Sequence, residues 1–138
     1  LTPQAPPLVD RIPITVAADL IEVRRRVTAA AQALDFGLVE ETKLVTAASE
    51  LTRNILQYAT HGRLLLEGLD EPARHGLRLT FEDEGPGIPD LDRAMQDGYS
   101  TASGMGLGLP GTRRLAHEFL IETNPGQGTR VIIVMWKR

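Results

Sequence analysis

The sequence predicts an α+β fold, a two-layer sandwich in which a mixed sheet carries its helices on one face. Three observations lead there. The apolar patterns run in the order strand, two helices, two strands, a glycine-rich loop region, one helix and a closing hairpin. That order does not alternate strictly, which argues against a doubly wound parallel sheet and for helices gathered on one side. And 138 residues, 42% of them hydrophobic and without an internal repeat, suit one domain with its own core.

Taken in order, residues 1–9 are proline-rich and predict a flexible arm, leaving 10–138 as a single domain. In "RIPITVA" Ile12, Ile14 and Val16 alternate with the period of a half-buried strand, and Pro13, which lacks an N–H, places that strand at a sheet edge. Asp19 and Glu22 have the spacing of a capping box. Leu20, Val23, Val27, Ala30 and Leu34 then recur at helical spacing, with Gly37 as the stop. A second helix is predicted from Val39 to Ala59, with Leu44, Ala48, Leu51, Ile55 and Tyr58 as its apolar stripe. "RLLLEGL" and "LRLTFED" read as strands joined by the turn-rich "DEPARHG". "LDRAMQDG" predicts a short helix, "YSTASGMGLGLPG" a loop, and Gly108 to Phe119 another helix. "FLIETNPGQGTRVIIVMWK" reads as a hairpin turning at "NPGQG".

Composition removes whole classes of function. A net charge of −3 and 4% aromatic residues give neither general polyanion affinity nor a base-stacking surface, so no nucleic-acid partner is expected. The absence of cysteine excludes disulfides, thiolate metal sites and cysteine nucleophiles, while His61, His75 and His117 lack metal-ligand spacing. The only lysines are Lys43 and Lys137, which weighs against a lysine-centred phosphate site. No apolar run is long enough to span a bilayer and no basic-then-apolar segment opens the chain, so a cytoplasmic location without a membrane is expected.

Four stretches carry candidate chemistry, and each has a purely structural reading beside it. Glu50 and Asn54 fall one turn apart on the edge of the second helix's stripe. Polar residues commonly border an amphipathic helix. Beside a cleft, however, an Asn oxygen suits Mg²⁺, which keeps most of its waters, and a Glu one turn away can accept a proton from an attacking hydroxyl. "EDEGPGIPD" follows a strand, and its glycines and prolines make a turn. Its Asp83 could also accept from an exocyclic amine such as that of adenine, with Gly85 and Gly87 letting the backbone lie flat against the base. Gly106-x-Gly108-x-x-Gly111 matches a dinucleotide fingerprint in form, but neither a buried strand before it nor a βαβ unit after it supports that reading, and no P-loop motif occurs. What remains is a flexible linker or a glycine loop leading into a helix N-terminus, where unpaired N–H groups suit phosphates without a lysine. "GQGT" is a hairpin turn whose Thr129 can reach a neighbouring pocket.

An ExxxN helix, a DxGxG turn, a GxGxG loop and a late Gly-Thr thus occur in that order. With this set the chain resembles the Bergerat-fold (GHKL) ATPase and kinase superfamily, which includes gyrase B, MutL and the histidine kinases. "AASELTRNILQYA", "EDEGPGIPD" and "DGYSTASGMGLGLPGTRRL" are most similar to its small serine kinases, the anti-sigma factors and switch kinases of the stressosome type. The resemblance spans residues 10–138. It implies Glu50 as general base and Asn54 as the Mg²⁺ ligand. It implies Asp83 on the adenine amine, with Gly85, Gly87 and Ile88 beside the base and Thr129 supporting that end through water. Gly104, Met105, Gly106, Leu107 and Gly108 would wrap the phosphates, and Pro89 to Ser103 would form an ATP lid. No helix bearing a phosphoacceptor histidine is present, which sets the histidine-kinase reading aside. Many anti-sigma members carry a His soon after the motif Asn; here "LQYATHG" has Tyr58 and Ala59, which favours the switch-kinase branch over a direct sigma-factor binder.

The resemblance therefore implies an ATP- and Mg²⁺-dependent serine/threonine protein kinase in a stress-response or sigma-factor pathway. Its substrate would be a STAS-domain antagonist, and its second partner a PP2C-type phosphatase or another output protein. One alternative is an ATP-gated binding module that sequesters a partner without kinase activity. Another is a plain ATP hydrolase or clamp, whose relatives usually carry a transducer domain that these residues leave no room for.

Overall fold

The structure is a computed structural model and describes residues 9–59, 61–87, 95 and 108–137. Strand β1 (Val9–Ile14) is followed by α1 (Asp19–Ala33) and α2 (Leu38–Tyr58), then by β2 (Gly62–Glu71) and β3 (Arg74–Asp83). Helix α3 (Gly108–Leu115) precedes β4 (Glu118–Asn124) and β5 (Gly128–Lys137). The strands lie in one sheet in the order β1-β2-β3-β5-β4, with β1 at an edge as Pro13 requires.

The two-layer α+β architecture holds, but the sheet is not mixed. Every pairing among the described residues is antiparallel. Two helices, not one, lie between β1 and β2, so the chain reverses an odd number of times and β2 returns antiparallel to β1. The crossover through α3 does bring β4 parallel to β3, but β5 is inserted between them and no parallel ladder forms.

Period-2 alternation divides the sheet into two unlike faces. Ile12, Leu64, Phe81 and Val131 form one row across the inner face, and Leu66, Leu79 and Ile133 the next. These side chains join Val23 and Val27 of α1, Leu44, Leu51 and Ile55 of α2 and Leu109 of α3 in one core, so all three helices cover the same face. Among the described residues the outer face carries no helix. One of its rows, Arg63, Glu82, Arg130 and Glu122, alternates in charge and is laced by ion pairs.

The helix ends differ in detail from the expectation. Asp19 does not cap α1 through a capping box: its Oδ2 accepts from the backbone N–H groups of Thr15 and Val16 at 2.8 and 3.0 Å, while Glu22 pairs with Arg25 and Arg26. Val16 is exposed, because the strand has already ended at Ile14. The stop of α1 is not Gly37. Asp35 takes the left-handed conformation (φ 61°), Phe36 N–H donates to Ala31 O and Asp35 N–H to Gln32 O, a Schellman closure with Phe36 buried beneath it. An Asp tolerates this φ better than most residues, and Gly37 instead precedes α2. Tyr58 is 42% exposed and leaves the stripe at the fraying end of α2. Helix α3 stops at Leu115, not Phe119, because Phe119 is claimed by β4. The predicted helix "LDRAMQDG" and the arm 1–9, apart from Val9 in β1, lie outside the described residues; of the former only Met95 is described, half-buried against the core. Among the described residues no helix is long and apolar enough to cross a membrane.

Candidate active site

The end of the sheet where β3 stops and β5 starts gathers most of the candidate residues. Helix α2 delivers two of them along its edge. Glu50 is 8% exposed, and Arg53 Nη1 donates to its Oε1 at 2.9 Å. Asn54, one turn on, is half-buried, and its amide has no hydrogen-bond partner among the described residues. The next residue, Ile55, lies so close over Gly62 that any side chain there would strike it. Gly62 is the register partner of Asp83, so the helix edge is fixed against the strand end.

Asp83 is the last residue of β3 and lies in the row Gly62, Asp83, Thr129, Thr123 on the helix-covered face. Its Oδ1 accepts the Gly85 N–H at 2.9 Å. This local turn holds the carboxylate in place and leaves Oδ2 without a partner among the described residues, open to an N–H donor. Thr129 stands at the second position of β5, because Gly128 opens the strand. Its hydroxyl lies 3.0 Å from that of Thr123, which also donates to Gly128 O.

The glycines of "DEGPG" have a reason in the fold itself. A Cβ on Gly85 would press against Ala59 at the end of α2. Gly87 has φ 77°, and a Cβ there would overlap the Asn124 carbonyl of the closing hairpin. The hairpin also clasps this loop directly, with Gly126 N–H donating to Pro86 O at 2.7 Å. On the solvent side His61 Nε2 and Glu84 Oε2 are 2.9 Å apart, and Arg63 reaches Glu84 as well.

Gly108 opens α3 with φ 65°, and the buried Thr112 hydroxyl donates back to its carbonyl. The first turn of α3 carries no acidic residue, and the basic pair Arg113 and Arg114 lies in its last turn. The lack of acid there leaves the N-terminus open to an anion, while the arginines suit the opposite, negative end of the helix. Pro110 lacks an N–H, so the available donors there are Gly108, Leu109 and Gly111. Ile88, Gly104, Met105, Gly106 and Leu107, with the lid segment 89–103 apart from Met95, lie outside the described residues. Among the described residues no group of three or more His, Asp or Glu side chains could hold a metal. The half-buried, unpartnered Asn54 amide instead suits Mg²⁺, which takes few protein ligands and retains its waters. Open depressions elsewhere, on the outer sheet face around Thr80 and Ile132 and at the far end around Arg74 and Trp136, lie away from these residues.

Residues 39–138 match the family described as histidine kinase-, DNA gyrase B-, and HSP90-like ATPase. The chain belongs to this ATPase family. It is 41% identical over 120 residues to the serine/threonine-protein kinase RsbT of Bacillus subtilis (strain 168), covering 87% of this chain and 90% of that protein. It is 30% identical over 113 residues to the anti-sigma F factor of Thermoanaerobacter sp. (strain X514), covering 78% of each. Among solved structures, the RsbU and RsbW domains of Rv1364c from Mycobacterium tuberculosis superpose with a TM-score of 0.63 at 20% identity. That match covers 95% of this chain but 32% of the other, and it shows the shared fold. The expected Bergerat architecture therefore holds.

Three neighbours of the site escaped the reading of the sequence. Arg53 sits inside the ExxxN motif but belongs to no motif position, and only its i,i+3 spacing from Glu50 signals the pair. Thr123 could be found only by pairing β4 with β5. Gly128 carried a signal in "GQGT", a glycine opening a strand after a turn. Its φ of 89° and the overlap that a Cβ would make with the Asp83 carbonyl show why it is a glycine.

Proposed function

We propose that this chain is an ATP- and Mg²⁺-dependent serine/threonine protein kinase that phosphorylates a STAS-domain antagonist and so switches partners in a stress-response or sigma-factor pathway. The observation that carries the nucleotide assignment is Asp83, anchored by one oxygen on Gly85 and open on the other. The open oxygen accepts the adenine amine, and the neighbouring Thr129 hydroxyl supports it through water. Gly85, Gly87 and Ile88 flank the base. Gly104, Met105, Gly106, Leu107 and Gly108 wrap the phosphates with backbone N–H groups ahead of α3. Bound through Asn54, Mg²⁺ would offset the charge that spreads over the phosphates.

Glu50 takes the proton of the acceptor hydroxyl as its oxygen attacks the γ-phosphorus and the bond to ADP breaks. Positioning and charge stabilisation carry most of such a transfer. The new phosphate is anionic, like Glu50, and so loosens the product and frees the kinase for a second partner, a PP2C-type phosphatase or another output protein. The kinship with a serine/threonine kinase and an anti-sigma factor supports this reading, and so does a lysine-poor site. Transfer from γ-labelled ATP to a purified STAS-domain antagonist tests it, with Glu50→Gln alongside. Label on a Ser or Thr, reduced about 10²–10⁴-fold in the variant, is the expected result. ATP binding that depends on Asp83 without transfer would leave an ATP-gated binding module instead.

A further inference from the structure

We infer that Arg53 is a positioning residue for Glu50: it holds the carboxylate turned away from the nucleotide and so keeps water from being used as the acceptor. The inference rests on the assignment of Glu50 as general base. Along α2 successive residues turn by about 100°, which puts Asn54 about 40° from Glu50 on one side and Arg53 about 60° from it on the other. The hydrogen bond of 2.9 Å between Arg53 Nη1 and Glu50 Oε1 therefore draws the carboxylate away from the Asn54 side, where the metal and phosphates belong. Among the described residues Arg53 is the sole hydrogen-bond donor to Glu50, and no other cation touches it. Arg53 itself has a side chain that is 49% exposed and uses one N–H of its guanidinium on the carboxylate. A pair with one member in solvent can open, while the buried carboxylate, lacking another partner, returns to it.

In the free kinase the base is thus parked. Hydrolysis of ATP would need Glu50 to take a proton from water as its oxygen attacks the γ-phosphorus, ADP leaves, and the proton passes on to solvent. A carboxylate held by Arg53 is turned away from the water that it would have to deprotonate. Freed, it serves water as readily as a hydroxyl.

The test is steady-state hydrolysis of Mg-ATP by the full chain without any acceptor protein. Arg53→Met keeps the alkyl stem and removes the charge, and Arg53→Lys keeps the charge. The expected result is kcat raised about threefold to fivefold in Arg53→Met, with KM for ATP unchanged. Arg53→Lys should stay near wild type, and the double variant Glu50→Gln/Arg53→Met should lose the gain. A merely structural role would lower kcat or shift KM in both single variants. Unchanged or reduced kcat in Arg53→Met, with Glu50→Gln still inactive in phosphoryl transfer, overturns the positioning role and leaves the kinase standing. Full transfer by Glu50→Gln removes the base and this inference together.

Discussion

Asp83 and Thr129 face each other across β3 and β5 as a register pair, on the face that the helices cover, at the one end of the sheet where Asp83 has a carboxylate oxygen to spare. Asp83→Asn keeps an oxygen for the Gly85 N–H but replaces a charge-assisted acceptor by a neutral amide. ATP affinity should fall about tenfold to a hundredfold, with the melting temperature near that of wild type. Titration calorimetry decides the matter; an affinity within twofold of wild type would remove Asp83 from the nucleotide site.

Two glycines two positions apart separate backbone strain from packing. Both Gly126 and Gly128 have positive φ, 79° and 89°, but a Cβ on Gly126 meets nothing within 4 Å, whereas one on Gly128 overlaps the Asp83 carbonyl. Gly126→Ala should cost about 1–2 kcal/mol from conformation alone. Gly128→Ala adds overpacking, for about 2–5 kcal/mol in all, and should weaken ATP binding in the surviving folded protein because β5 must retreat from Asp83. Denaturant unfolding of the two variants side by side measures the difference. Equal losses would mean that the strand end yields without cost.

Thr52 lies on the flank of α2 away from Glu50, fully buried, and its hydroxyl has no hydrogen-bond partner among the described residues. Replacing it with the similarly shaped apolar Thr52→Val removes an unsatisfied group, so stability should rise by about 1 kcal/mol. Nucleotide affinity should not change. A lower unfolding midpoint would mean that the hydroxyl has a partner in solution.

Hydrogen bonds from Arg25 first and then Arg26 lower the Glu22 carboxyl to about 2. Because its folded value lies below its unfolded one, its contribution is present above the ordinary glutamate range and is lost as the pH falls towards 2. NMR titration of the Glu22 side chain should show it ionised at pH 3, and Arg25→Ala should move its midpoint upward. A midpoint near 4.5 in the wild type would show that the crossed pairs do not persist in water.

Most of the architecture was legible because it follows from periodicity. Leu44, Ala48, Leu51 and Ile55 recur at helical spacing, Ile12 and Ile14 at strand spacing, and burial in the structure follows both. Pro13 announced an edge strand for a local reason, its missing N–H. What stayed hidden was set by neighbours distant in sequence. The direction of strand pairing depends on how many times the chain reverses between strands, and β5 enters between β3 and β4 without leaving a local mark. Asp35 won the left-handed position over Gly37 because Phe36 had a buried place three residues past the end of α1. At the site, Asp83, Glu50 and Asn54 could be read from residue chemistry and spacing. Thr123 could not, since it joins the row of Asp83 and Thr129 only once β4 pairs with β5, and "GQGT" marked Gly128 as a turn glycine without showing that it passes against the Asp83 carbonyl.

The place of β5 also has a meaning in time. β4 is made before β5 yet among the described residues pairs with it alone, and Asp83 meets Thr129 through that same strand. During synthesis, which proceeds from the N-terminus, β1, β2 and β3 with α1 and α2 can assemble while β4 waits unpaired. The pairing that sets Thr129 opposite Asp83 comes into existence only when the last of these strands has left the ribosome. A ligand that needs both residues has nothing to bind on a nascent chain before then.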